Sequence, residues 1–210
     1  MWGLDVARFG DDRTALVKRA GNVIIEVPKM WRGKDTMQVA GLIKLEYDEA
    51  MDAKCEPHEI LVDVIGIGAG VVDRLRELGL PVRGINVAES PAVREQYLRL
   101  RDELWWKARE WFGNRACKIP EPQGLTNGEE DPMELLISEL SQPKYTASSS
   151  GKILIETKDD MKKRGLSSPD LADAFCLTFA GGRAKVDLEQ RYSRSRQRRM
   201  QQRHYSWMAA

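Results

Sequence analysis

Trp2-Gly-Leu-Asp5-Val-Ala7 is the stretch from which the fold can be worked out, because it places an acidic side chain inside an apolar strand. A second apolar strand, Ile60-Leu-Val-Asp63-Val-Ile65, carries an aspartate in the same way. An ionised carboxylate among apolar side chains costs roughly several kcal/mol unless a cation pairs with it. Neither stretch contains a lysine or an arginine. Asp5 and Asp63 are therefore candidate ligands of a cation.

A late helix supplies two further carboxylates. The stretch Ser168-Pro-Asp170-Leu-Ala-Asp173-Ala-Phe175 begins with a residue that commonly caps helices, followed by a proline suited to the first turn. Asp170 and Asp173 are three residues apart and so lie on one face. The first turn of a helix favours acids, which would explain Asp170, but Asp173 lies one turn deeper. Carboxylates from three distant segments are most simply explained by a shared divalent metal site.

The rest of the pattern predicts a mixed α/β fold. The expected strands are Leu4–Ala7, Thr14–Arg19, Val23–Val27, Ile60–Ile65 and Val82–Val87. The expected helices are Asp35–Ala53, Gly70–Leu78, Pro91–Phe112, Met133–Leu140 and one that Ser168 caps, with a polar hairpin at Lys144–Thr157 and a charged connector after it. Three strands in a meander followed by alternating helices and strands indicate a mixed central β-sheet flanked by helices, with an added β-hairpin.

This order of elements places the carboxylates together. A crossover helix would carry the fourth strand back beside the first, so that Asp5 and Asp63 stand side by side. If the last helix packs across the sheet, Asp170 and Asp173 reach them. Such a cluster suits two Mg²⁺ or Mn²⁺ ions about 4 Å apart, an arrangement used for phosphodiester cleavage. The chain has only two histidines and three widely spaced cysteines, which argues against zinc.

The composition sets limits on the class of protein. With 210 residues, 42% of them hydrophobic, the chain can bury the core of one large domain. It has no apolar run of the roughly 18 residues that a membrane span needs, so we expect no membrane partner. From Arg191 onward there are six arginines and no acid, and since the net charge is +1, residues 1–190 carry −5. We expect one folded domain at 1–185 and a basic, disordered tail at 186–210 that suits polyanions or an acidic protein surface.

The strand-one segment, Asp63 and the Ser168–Phe175 segment, in this order and spacing, resemble the nuclease domain of the large terminase subunit of tailed bacteriophages. The resemblance covers about residues 3–182 and implies an RNase H/RuvC-like endonuclease domain that carries out metal-dependent cutting of concatemeric viral double-stranded DNA. It implies Asp5, Asp63 and Asp173 as catalytic metal ligands. It also implies candidates for a second shell around the metal or for a second ion, namely Asp170 and either Asp11 or Asp12.

The resemblance also implies partners. They would be viral DNA, the portal or procapsid and the small terminase subunit, in the host cell cytoplasm and transiently at the procapsid. Large terminases carry an N-terminal ATPase, yet the sequence contains no GxxxxGK[ST] motif. Translocation is therefore not expected of this chain alone.

DNA contacts are expected from the polar hairpin and the basic segment after it. The candidates for phosphate contacts are Lys152, Lys158, Lys162, Lys163 and Arg164. The equally plain alternative is an exposed charged hairpin without a partner. Trp105, Trp106 and Trp111 could stack on bases, but their helical spacing favours packing in the core or at an interface.

Three other functions compete with the nuclease. A junction resolvase shares the carboxylate arrangement and acts on branched DNA. An actin-like phosphotransferase or ATPase shares the underlying fold but needs two lobes and offers no place for the Ser168–Phe175 helix. Gly66-Ile-Gly68-Ala-Gly70 follows a strand but misses the GxGxxG spacing of dinucleotide-binding loops.

Overall fold

Six strands form the central sheet in the part of the chain that the computed structural model describes, which is residues 1–7, 13–124 and 130–181. The strands are β1 (Trp2–Asp5), β2 (Thr14–Ala20), β3 (Val23–Ile24), β4 (Lys29–Trp31), β5 (Ile60–Asp63) and β6 (Val82–Ile85). Their order is β3-β2-β1-β5-β6, and β4 also pairs with β2. The pairs β1–β5 and β5–β6 are parallel and β1–β2 is antiparallel, which confirms the mixed sheet.

The register of β1 and β5 sets the position of the first two carboxylates. Leu4 is the partner of Val62, so Asp5 and Asp63 follow side by side at the carboxyl ends of two adjacent parallel strands. Successive side chains of a strand point to opposite faces. Asp5 therefore shares a face with Gly3, while Leu4 points to the other face.

Helices cover the sheet. Those in the described residues are α1 (Thr36–Asp52), α2 (Gly68–Glu77), α3 (Leu100–Gly113), α4 (Pro132–Ser141), α5 (Lys158–Lys163) and α6 (Asp170–Leu177). The side chains of α1 and α2 join Leu4, Ile60 and Val62 in one buried apolar cluster. The expected start of α1 is confirmed, because the Asp35 carboxylate accepts from the amide of Gln38 at 2.7 Å. A helix cap of this kind stabilises by about 1 kcal/mol.

Helix α6 lies against the opposite face of the sheet, where Gly3 makes room for it. A Cβ atom at Gly3 would lie 1.9 Å from the carbonyl oxygen of Ala174. The backbone of α6 therefore rests directly on β1. Since Asp5 points to the same face as Gly3, this close approach brings α6 and its carboxylates over the end of β1.

The polar hairpin is present as expected. Strands β7 (Tyr145–Ala147) and β8 (Ile153–Ile155) pair antiparallel outside the main sheet. The amide of Ile155 donates to the buried Asp102 carboxylate at 2.9 Å, which ties the base of the hairpin to α3.

Helix α3 begins at Leu100, so the expected start at Pro91 was wrong. The segment before Leu100 pairs with the hairpin instead. The amide of Ile153 donates to the carbonyl of Gln96 at 2.8 Å, and the amide of Leu98 in turn donates to the carbonyl of Ile153. Contacts distant in sequence therefore hold this segment out of the helix.

The segment expected as a charged connector forms helix α5, so that expectation was also wrong. Thr157 caps this helix, because its hydroxyl accepts from the amide of Asp160 at 3.1 Å. The charged residues of the segment therefore lie on a short helix.

The start of α6 also differs in detail from the expectation. Pro169 occupies the N-cap position, and its side chain makes no hydrogen bond to the helix backbone. The hydroxyl of Ser168 donates instead to the Asp170 carboxylate at 2.5 Å. Ser168 therefore holds an acidic side chain rather than capping the backbone.

Some expectations fall outside the residues that the structure describes. Asp11, Asp12 and the basic tail at 186–210, with its boundary at residue 185, are among them. In the described part of the chain, no helix is both long enough and apolar enough to cross a membrane.

Candidate metal centre

Asp5, Asp63 and Asp173 line a single cavity of about 300 Å³. The first two reach it from the ends of β1 and β5, and the third reaches it from α6. The structure thus brings together acidic side chains from the beginning, middle and end of the sequence. Their role as metal ligands stays a prediction.

A lysine lies at the centre of this cluster. The Nζ atom of Lys158, at the start of α5, lies 3.0 Å from Asp173 Oδ2, 3.3 Å from Asp5 Oδ2 and 3.6 Å from Asp170 Oδ1. Burial disfavours the charged ammonium, but the carboxylates of Asp173, Asp5 and Asp170 outweigh it and raise the pKa of Lys158. Lys158 is therefore the counter-ion of the cluster, and its contact with DNA stays a prediction.

Asp173 has further partners on α3. The indole Nε1 of Trp105 donates to Asp173 Oδ1 at 2.8 Å, and Nη2 of Arg101 lies 3.3 Å from the same oxygen. Burial alone would raise the pKa of Asp173, but Arg101, Lys158 and the Trp105 N–H together hold it below its usual value. Asp173 is therefore ionised in the folded protein at neutral pH.

The pKa values of Asp5 and Asp63 shift upward, opposite to that of Asp173. Burial is the largest cause of the rise in the pKa of Asp5 to about 7; Lys158 opposes the shift, and the neighbouring carboxylates add to it. Burial also raises the pKa of Asp63, against a hydrogen bond that its Oδ1 accepts from the amide of Ile65 at 3.0 Å. Both carboxyl groups therefore hold a proton more readily than an exposed aspartate does.

Asp170 is engaged within the protein. Its Oδ2 accepts from the amide of Arg13 at 2.8 Å, and its Oδ1 accepts from the hydroxyl of Ser168. It is 5% exposed. These contacts tie the first turn of α6 to the residue before β2, which fits a supporting position behind the other three carboxylates.

Glu139 was not found from the sequence, although it supports the same helix. It projects from α4, is 3% exposed, and its Oε2 accepts from the amide of Ala172 at 3.0 Å. Burial raises the pKa of Glu139 to about 8. The amides at the start of α6 therefore find their acceptor on another helix, which no local pattern in the sequence could indicate.

The remaining basic candidates lie on α5, just after it, or on the hairpin. Lys163 pairs with Asp160 at 2.7 Å, and Arg164 pairs with Glu156. Lys152 follows the turn of the hairpin, where its amide donates to the hydroxyl of Ser148. Lys162 lies in α5 and is exposed. Their contact with DNA stays a prediction.

The three tryptophans occupy different environments. Trp105 and Trp111 are buried, as expected for core residues. Trp106 contacts Tyr145 of β7 edge-to-face, with 5.3 Å between ring centroids. The guanidinium of Arg109 lies 4.5 Å from the Trp106 ring centroid. Trp106 thus joins α3 to the hairpin.

The donor set of the cavity fits a hard divalent cation. Asp5, Asp63 and Asp173 offer carboxylate oxygens, the donors that Mg²⁺ and Mn²⁺ take, and Cys176 lines the cavity as well. Within residues 1–7, 13–124 and 130–181, no three acidic, histidine or cysteine side chains are already arranged to hold a metal ion. The ammonium of Lys158 lies between the carboxylates instead. Lys158 thus supplies positive charge between Asp5 and Asp173 in this arrangement.

Comparison with solved structures identifies the fold. The nuclease domain of the large terminase subunit gp2 of bacterial virus Sf6 superposes with a TM-score of 0.66 at 22% identity, covering 84% of this chain and 86% of that one. A lysine-to-alanine variant of that domain with manganese and beta-thujaplicinol gives 0.66 at 20% identity over the same shares. The large terminase nuclease of thermophilic phage G20c with bound magnesium gives 0.53 at 13% identity, covering 86% and 79%.

No family model matches the sequence, and no curated protein matches it significantly. The structural likeness nevertheless extends over most of the chain. The chain therefore has the fold of the nuclease domains of bacteriophage large terminase subunits.

Proposed function

We propose that this domain is a metal-dependent endodeoxyribonuclease that cuts concatemeric double-stranded viral DNA during genome packaging. The observation that carries the proposal is that Asp5, Asp63 and Asp173 line one cavity, where Lys158 Nζ contacts two of them. Clustered carboxylate oxygens are the ligands that hard divalent metals take. The fold of the terminase nucleases supports the same conclusion.

The ligands in this proposal are Asp5, Asp63 and Asp173, with Asp170 supporting them from behind. Two Mg²⁺ or Mn²⁺ ions held there would polarise the phosphate and lower the pKa of a bound water. The protein's own part is to hold the carboxylates in place. Trp105 fixes one oxygen of Asp173, and the Ile65 amide fixes one oxygen of Asp63.

The cavity also offers groups suited to the substrate. Arg99, Arg101 and Lys158 line it together with the acids. A phosphodiester is an anion, so it would enter a cavity that offers carboxylates for the metal and cationic side chains for the phosphate. Contacts of this kind do not read base sequence, which supports cutting with little sequence preference.

The place of the domain in packaging follows from the same proposal. Translocation needs an ATPase, and the sequence lacks the phosphate-binding loop of P-loop motors. The domain would therefore work with a motor domain, with the portal or procapsid and with the small terminase subunit, in the host cell cytoplasm. The basic tail that follows residue 185 would suit DNA or an acidic surface of one of these partners.

Cleavage of supercoiled plasmid tests the proposal. We expect nicking and linearisation with Mn²⁺ or Mg²⁺ and none with EDTA. Asp5→Ala, Asp63→Ala and Asp173→Ala should each lose the activity, while Asp73→Ala, on the exposed surface of α2, should keep it. Metal-dependent cutting that survives the first three substitutions would reject these ligands.

A four-way DNA junction separates this function from that of a junction resolvase. The terminase-like nuclease should cut linear duplex at least as fast as the junction. A strong preference for the junction, with symmetrical cuts at the branch point, would favour the resolvase instead.

A further inference from the structure

Arg101 lies in the wall of the cavity beside Asp173, with a side chain that is 12% exposed. Its Nη1 donates to the carbonyl of Glu156 at 2.9 Å. Its Nη2 is buried and has no hydrogen-bond partner among the residues that the structure describes, although it lies 3.3 Å from Asp173 Oδ1. Arg101 therefore has one N–H donor, Nη2, that no described protein group accepts.

Nη2 of Arg101 lacks a hydrogen-bond acceptor because other groups already engage both carboxylate oxygens of Asp173. Its Oδ1 already accepts from the Trp105 indole at 2.8 Å, and its Oδ2 faces Lys158 at 3.0 Å. Nη2 of Arg101 therefore has charge attraction to Asp173 without a well-directed hydrogen bond. A buried donor without an acceptor costs roughly 1–3 kcal/mol, and more when it is charged. Such a donor in a cavity wall is suited to a ligand that brings the acceptor.

The guanidinium is also held in place without a ligand. Its Cζ lies 5.2 Å from the Trp105 ring centroid, and Nη1 is fixed on the Glu156 carbonyl. Both contacts hold Arg101 in the lining of the cavity that Asp5 and Asp63 also line. Arginine is well suited to phosphate oxygens because it is always charged and its N–H groups are fixed in a plane.

We infer that Arg101 is a catalytic residue that donates from Nη2 to a non-bridging oxygen of the scissile phosphate. This inference rests on the proposed nuclease function. During cleavage, a water oxygen forms a bond to phosphorus and one P–O ester bond breaks. The water loses one proton to solvent and the leaving oxygen gains one, so the protons balance. Negative charge gathers on the non-bridging oxygens in between, where the Arg101 donor stabilises it.

The alternative is that Arg101 only positions Asp173. The two roles predict opposite effects on metal binding. If Arg101 positions a metal ligand, Arg101→Ala should weaken Mn²⁺ binding and cleavage together. If Arg101 contacts the phosphate, removing a positive charge beside Asp173 should leave Mn²⁺ binding unchanged or tighter while cleavage falls.

The test compares Arg101→Ala, Arg101→Lys and the matched control Arg109→Ala, which changes an arginine on the same helix that lies over Trp106, outside the cavity. Mn²⁺ affinity is measured by calorimetry without DNA, and the single-turnover rate is measured on a duplex with saturating Mn²⁺. We expect Arg101→Ala to lose roughly 100-fold or more in rate, as for removal of one transition-state donor, with Mn²⁺ affinity not reduced. Arg101→Lys should recover part of the rate, and Arg109→Ala should match wild type.

Two results would overturn the inference. One is an Arg101→Ala rate equal to that of Arg109→Ala, and the other is a loss of Mn²⁺ affinity that accounts for the whole loss of rate. If Arg101→Ala does not fold, the same comparison is made on Arg101→Lys, for which a normal rate contradicts the inference. Absence of cutting by the wild type would instead reject the proposed function, and the inference with it.

Discussion

The ammonium nitrogen of Lys158 lies 3.0 Å from Oδ2 of Asp173, within the group of carboxylates proposed to bind metal. The same nitrogen is 3.3 Å from Asp5. Lys158 and a divalent ion would compete for these carboxylates, because both are attracted to the same negative charge. We therefore expect metal binding to weaken the ion pairs of Lys158.

Replacement of Lys158 by alanine should strengthen metal binding. Without the competing ammonium, we expect Mn²⁺ affinity to rise on the order of tenfold, which corresponds to about 1.4 kcal/mol. The metal-free protein should lose stability at the same time, since Asp5 and Asp173 lose a counter-ion. Calorimetric titration with Mn²⁺ and thermal melting in EDTA measure the two effects.

Lys163→Ala is the matched control for Lys158→Ala, because it removes a lysine from the same short helix that pairs with the exposed Asp160 instead of the cluster. It should leave Mn²⁺ affinity unchanged. Equal affinities for Lys158→Ala and wild type would mean that Lys158 does not compete with the metal.

Asp5 and Asp173 should respond differently to neutralisation. The pKa of Asp173 is lowered by Arg101 and Lys158 against its burial, so the folded state favours its charge. The pKa of Asp5 is raised to about 7, chiefly by burial, so the folded state disfavours its charge. In EDTA at pH 8, Asp173→Asn should therefore be less stable than wild type, and Asp5→Asn should be as stable or more stable.

Urea unfolding of the two asparagine variants checks this contrast. The effect of Asp5→Asn should shrink when the pH is lowered to 5, because Asp5 of the wild type is then protonated. A metal-free Asp173→Asn protein more stable than Asp5→Asn at pH 8 would contradict the assignment of Arg101 and Lys158 as partners of Asp173.

The positions of the three acidic residues could be predicted from the sequence, because they depend on the order of strands and helices along the chain. Asp5 and Asp63 could be placed side by side because a crossover between parallel strands follows from the order of strands and helices. Asp173 could be placed near them because it shares a helix face with Asp170, although the expectation that it lies one turn deeper was wrong: α6 begins at Asp170, so Asp173 is in its first turn. These inferences need only local periodicity and topology.

The sequence did not indicate which basic side chains contact the carboxylates of the site. Lys158 and Arg101 have long side chains, and their direction depends on how α5 and α3 pack. The start of α3 at Leu100 likewise depends on the pairing of the Gln96 region with Ile153 of the hairpin. Contacts between elements far apart in the sequence decided each of these cases.

Replacement of Gly3 by alanine should disturb the site without touching any ligand. The added Cβ would lie 1.9 Å from the carbonyl oxygen of Ala174, so α6 must move away from β1. We expect a loss of stability on the order of 3 kcal/mol from overpacking. Mn²⁺ affinity should fall as well, because Asp173 moves with α6 relative to Asp5.

Gly41→Ala is the control for Gly3→Ala, since a Cβ at Gly41 meets nothing within 4 Å in helix α1. It should be neutral or stabilise by about 0.5–1 kcal/mol. Denaturant unfolding and Mn²⁺ titration of both variants provide the comparison. A Gly3→Ala protein with normal stability and Mn²⁺ affinity would show that α6 can shift without consequence for the site.

Glu139 should make the stability of the domain depend on pH. Burial raises the pKa of its carboxyl from 4.5 to about 8. A raised pKa means that the folded state holds the proton more tightly than the unfolded state. The contribution of Glu139 to stability is therefore fully present below pH 4.5 and is lost as the pH rises towards 8.

Glu139→Gln isolates this contribution, because glutamine keeps an oxygen that can accept from the Ala172 amide and cannot ionise. Relative to wild type, the variant should gain stability between pH 5 and pH 8.5, by an amount on the order of a few kcal/mol. Glu134→Gln, at an exposed position of the same helix, is the matched control. Urea unfolding in EDTA across this pH range measures the differences, and parallel curves for Glu139→Gln and wild type would mean that Glu139 titrates as an ordinary glutamate.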